Sequence, residues 1–61
     1  MVTLWFKPGP NKGAMILVLK QYAHITLSDA RNALEIERIK CKKEYKDTLI
    51  KAIEKAGGKI V

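Results

Sequence analysis

The chain opens on a strict alternation, with Val2, Leu4 and Phe6 on one parity and Thr3, Trp5 and Lys7 on the other. A period of two among β-branched and aromatic residues predicts a half-buried strand, its first parity turned to a core and its second to water. Pro8-Gly9-Pro10 ends it, because proline donates no ladder hydrogen bond and drives the residue before it to an extended conformation. Asn11 is then placed to cap a helix.

The pattern changes at Ala14-Met15-Ile16-Leu17-Val18-Leu19, six apolar residues in a row. Such a run exceeds what one helical face can hide. In a helix running to about Ala23, a buried stripe of Met15, Val18, Leu19 and Tyr22 leaves Ala14, Ile16, Leu17 and Lys20 outward or at the margin. Thr26-Leu27-Ser28-Asp29 is a capping box with a short acid, predicting a second helix from Leu27 to Leu34 or Glu35. Its apolar face is Leu27, Ala30 and Leu34, with Arg31 off that stripe. Ile36 to Cys41 reads as a second strand, Ile39 and Cys41 inward and Arg38 and Lys40 outward, with a start into which the second helix can run by a residue or two. Tyr45, Leu49, Ala52, Ile53 and Ala56 recur at helical spacing, predicting a third helix from about Lys43 to Ala56 that Gly57-Gly58 closes with a left-handed cap. Lys59-Ile60-Val61 is a short last strand.

The expected fold is therefore α+β, in the order strand, helix, helix, strand, helix, strand. Three helices pack on one face of a three-stranded antiparallel or mixed sheet, with the first strand between the other two.

Composition narrows what such a fold can do. At 61 residues there is room for one domain and little for a deep pocket. With 48% hydrophobic and 30% charged residues the chain reads as globular, and it carries neither a membrane-length apolar run nor a leader pattern, so the expectation is a soluble, cytoplasmic protein. The single Cys41 can make no internal disulfide, and one Cys with one His supplies no zinc site of ordinary spacing. Cys41 reads as a small buried strand residue, and His24 as a helix terminator that tolerates the left-handed region. No phosphate-cradling glycine loop occurs. These readings predict a protein that is not an enzyme and holds no cofactor or metal.

A net charge of +6 favours acidic partners, whether nucleic acid, a ribosomal surface or an acidic protein face. The basic residues are dispersed, with one dense cluster from Arg38 to Lys46. Two surfaces follow. One is the outer face of the first two helices. The other is the open side of the sheet, where Trp5 stands among Lys7, Arg38, Lys40 and Lys59, with Lys42 and Lys43 at the start of the third helix as a neighbouring anion-attracting group.

The element order and the stretches Gly9-Pro10-Asn11-Lys12, Leu27-Ser28-Asp29-Ala30-Arg31-Asn32 and Ala52-Ile53-Glu54-Lys55-Ala56-Gly57 resemble the C-terminal domain of the bacterial ribosomal stalk protein, the L-seven/L-twelve family. The resemblance covers nearly the whole chain and corresponds to that family's recruiting head, without its N-terminal dimerisation domain and hinge. It implies a protein–protein interaction module in translation whose first two helices dock a translational GTPase or ribosomal component. The positions it implies for that contact are Gly13, Ala14, Ile16, Leu17, Lys20 and Arg31. Gly13 stands where the family has a larger apolar residue and Leu17 where it has a lysine. The fold is also similar to that of the Clp-protease adaptor, so the same scaffold serves more than one partner. Two further uses stay open from the residues alone: a homodimer through the apolar helix face, and nucleic-acid binding through the open sheet face.

Overall fold

A computed structural model describes residues Met1–Val61 as β1 (Val2–Lys7), α1 (Lys12–Tyr22), α2 (Leu27–Ile36), β2 (Arg38–Cys41), a 3₁₀ turn (Lys43–Tyr45), α3 (Lys46–Lys55) and β3 (Lys59–Ile60). The sheet order is β2-β1-β3, and both pairings are antiparallel, so the expected α+β fold is observed with an antiparallel sheet. Register places Leu4 opposite Ile39, Val2 opposite Cys41 and Phe6 opposite Ile60. These residues point to the helices, and Phe6, Met15, Leu19, Cys41, Leu49 and Ile53 form the fully buried centre of the core. The other parity of the sheet is uncovered.

Local chemistry accounts for most of the boundaries. Asn11 accepts the Ala14 N–H at 3.0 Å and starts α1. Thr26 Oγ1 accepts the Asp29 N–H at 3.1 Å and starts α2, but Asp29 makes no return bond, its side chain being one methylene shorter than the glutamate a reciprocal box uses. At the end of α3 the Gly58 N–H reaches the Ile53 carbonyl at 2.9 Å and the Gly57 N–H reaches that of Glu54 at 3.1 Å. Gly57 takes φ 97° there, which is a Schellman closure.

Several expected details are corrected. The open boundary after α2 is resolved in the helix's favour: Ile36 is its last residue and β2 starts at Arg38, because Glu37 enters the left-handed region at φ 55° and ends the helix. The Glu37 carbonyl then accepts the Phe6 N–H at 3.1 Å, a bond that exists only once β1 lies alongside. The third helix begins as a 3₁₀ turn, since Lys42 has no side chain able to cap it and an uncapped first turn tightens to i→i+3 bonding. Within α2 the buried residues are Ala30 and Ala33, whereas Leu27 is exposed and Leu34 half-buried. Small alanines let α2 lie close to its neighbours, so its buried side is the small side. Val18 and Tyr22 are half-buried and pack against the core without being enclosed by it.

Candidate functional site

On α1, Gly13, Leu17 and Lys20 are exposed, and Arg31 of α2 is exposed as well. Residues three and four apart share a helical face, so Gly13, Ile16, Leu17 and Lys20 form one continuous strip. Leu17 is its apolar summit at 64% exposure. Ala14 and Ile16 are half-buried, and Ile16 packs against the core, so it forms the flank of the strip and not a free anchor. On α2, Leu27, expected inside, is 44% exposed one helical turn before Arg31.

The open side of the sheet has a different character. Thr3, Trp5, Lys7, Arg38, Lys40 and Lys59 are all exposed there. Register sets Thr3 opposite Lys40, Trp5 opposite Arg38 and Lys7 opposite Lys59. The Arg38 guanidinium carbon stands 5.3 Å from the centre of the Trp5 ring, within cation–π range. Lys7 Nζ approaches Glu37 Oε1 at 3.4 Å, an exposed pair worth at most ~1 kcal/mol. Lys42 follows β2 directly, while Lys43 belongs to the 3₁₀ turn and leaves the strand.

A third feature lies beneath the free edge of β2. A groove of about 380 Å³ runs between α2 and β2, lined by Met1, Ile25, Ala33, Ile36 and Ile39 and by the polar residues Asp29, Asn32, Arg38 and Lys40. Alternation from Ile36 to Cys41 does not reveal it: the groove depends on α2 ending at Ile36 through a left-handed Glu37, a conformation that a glutamate does not signal in the sequence.

The two residues with reactive side chains have structural surroundings. His24 takes φ 56° between α1 and α2, and its ring lies 4.5 Å from that of Tyr45, tilted by 40°. Cys41 is buried and unpaired. Burial pushes its thiol above the usual range, outweighing the opposing pull of Lys46 and the N-terminal ammonium. It is therefore a protonated core residue at neutral pH. No three His, Cys, Asp or Glu side chains converge on one point, and no helix is long and apolar enough to cross a membrane.

Comparison of the chain with protein-family models, curated proteins and solved structures yields no match.

Proposed function

We propose that this chain is a non-enzymatic docking module that receives a protein partner on the outer face of α1 and α2. The observation that carries the reading is Leu17, a leucine two-thirds exposed at the middle of a helix whose other large apolar residues are at least half-buried. An exposed leucine alone is ordinary. Here it shares a helical face with Gly13, which leaves room for close approach, and with Lys20, and the stalk-domain resemblance assigns these positions and Arg31 to partner contact, although the family has a larger apolar residue at Gly13 and a lysine at Leu17. Leu17 and Leu27 supply apolar anchors, Ala14 and Ile16 a flat flank, and the two cations orient an acidic partner and speed encounter. A translational GTPase or a ribosomal component is the partner class this resemblance implies.

The test is fluorescence anisotropy of the labelled protein titrated with GTP-bound translational GTPases, beside the Leu17→Asp and Arg31→Glu variants. Saturable binding that Leu17→Asp weakens at least tenfold, with an unchanged melting curve, supports the reading. No binding by the folded protein, or equal binding by both variants, overturns it. Sedimentation across a concentration series separates the other occupant of the strip: dimerisation abolished by Leu17→Asp would mean that a second copy covers it.

A further inference from the structure

The uncovered sheet face carries an arrangement that folding does not explain. Lys7 and Lys59 are direct cross-strand partners, and like charges so placed destabilise a sheet. Glu37 offsets one of them from the corner, at 3.4 Å from Lys7. Counting Arg38 and Lys40, the face presents four cations against that single carboxylate, around a Trp5 that is 52% exposed. Lysines on the edge strands β2 and β3 also guard against edge pairing, but the exposed ring at their centre does not serve that end, and local rules are broken most often at functional surfaces.

We propose that this face binds single-stranded nucleic acid, with one base stacked on Trp5 and the flanking phosphates held by Lys40 on one side and Lys7 and Lys59 on the other. The geometry fits an extended strand. Thr3 and Lys7 lie four residues apart on β1, about 13 Å at the usual rise, so Lys40 opposite Thr3 and Lys59 opposite Lys7 bracket Trp5 from both ends. Sheets that read single strands generally stack two or three bases on aromatic rings, and here there is one ring. Arg38 supplies the second plane: its guanidinium already lies over Trp5, and guanidinium planes stack on bases as aromatic rings do. Duplex nucleic acid hides its base faces and gains nothing from Trp5. An acidic protein or an anionic membrane would use the cations but not this central stacking pair. The inference is independent of docking at α1 and α2, which involves none of these residues.

The experiment follows Trp5 fluorescence, the chain's only tryptophan, while a short oligothymidine is added at several salt concentrations. Expected are quenching and a log–log salt slope of about −2.1, the value for three phosphates of a single strand. Trp5→Ala, followed by anisotropy of labelled oligonucleotide, should bind roughly ten- to hundredfold more weakly, with Trp5→Phe between it and the native protein. Lys59→Gln should flatten the slope by about 0.7, while Lys51→Gln on the exposed side of α3 should leave it unchanged. Circular dichroism checks that each variant is folded. The inference is overturned if Trp5 is silent to oligothymidine, if Trp5→Ala and Trp5→Phe bind as the native protein does, if Lys51→Gln matters as much as Lys59→Gln, or if a duplex of equal length binds as tightly. It is equally overturned if vesicles rich in phosphatidylserine or a poly-glutamate peptide compete on equal terms with the oligonucleotide.

Discussion

The two exposed faces of this molecule are made from the same strands and helices that build one core, yet they are unlike in kind. The α1–α2 face is apolar with charge at its border, and the sheet face is charged with one tryptophan–arginine pair at its centre. On the helices, the excess of apolar residues forces exposure: six in a row cannot all turn inward, and Leu17 is left out. On the sheet, alternation gives clean separation, so exposure there is a matter of which polar residues were placed outside. The first surface is legible as a surplus, and the second as a pattern of like charges, Lys7 against Lys59, that strand pairing alone does not favour.

Both faces rest on one core, and damage to it has the largest effect. Leu19 is fully buried beneath α1. Leu19→Ala should cost roughly 2–5 kcal/mol in chemical denaturation, a large part of the stability of so small a domain, and both binding activities should fall together. Next in size is Thr26→Ala, which removes the cap on α2 and should cost about 1 kcal/mol, weakening partner binding through Arg31 and Leu27 while sparing oligonucleotide binding. Loss of both to the same degree would mean that the faces are not independent.

Gly13→Ala runs the other way. A methyl group there meets nothing nearer than Asn11 Oδ1 at 3.7 Å, and alanine is the better helix former, so denaturation should show a gain of up to about 1 kcal/mol. If the glycine serves close approach of a partner, the more stable variant should bind that partner less well. Glu37→Gln removes the one carboxylate on the sheet face. Stability should fall by less than ~1 kcal/mol, since the Lys7 pair is exposed, and oligonucleotide affinity should rise.

The smallest effect concerns Cys41. Its thiol has a raised folded-state pKa, so the unfolded chain loses its proton first as pH rises. The native protein should lose stability relative to Cys41→Ala above about pH 8.5, the pKa of an unperturbed thiol, and their difference should be flat below it. A constant difference through pH 10 would contradict the burial argument.

Period and punctuation made the element order, the central position of β1 and both parities of the sheet legible in the sequence. Less legible were features that depend on what an element meets. Hydrophobicity places Leu27 inside, but α2 approaches through Ala30 and Ala33, and size decided its orientation. A strand starting at Ile36 would set it on the polar parity of Arg38 and Lys40; instead Glu37 ends a helix there and its carbonyl is claimed by Phe6 across the sheet. Spacing leaves both Ile16 and Leu17 outward or at the margin of the α1 stripe, and the structure separates them, half-buried against exposed. The cationic ring around Trp5 was visible as a list of residues; the opposition of Lys7 and Lys59 and the seat of Arg38 over Trp5 required the register.

The separation of two binding faces is tested most directly by amide chemical-shift mapping of the uniformly labelled protein with two ligands in turn. A GTP-bound translational GTPase should perturb Gly13 to Lys20, Leu27 and Arg31, and oligothymidine should perturb Trp5, Lys7, Arg38, Lys40 and Lys59 together with the Trp5 indole. Each set should be unaffected by the other ligand. Perturbation of one common set by both ligands, or of neither set by either, would contradict the account.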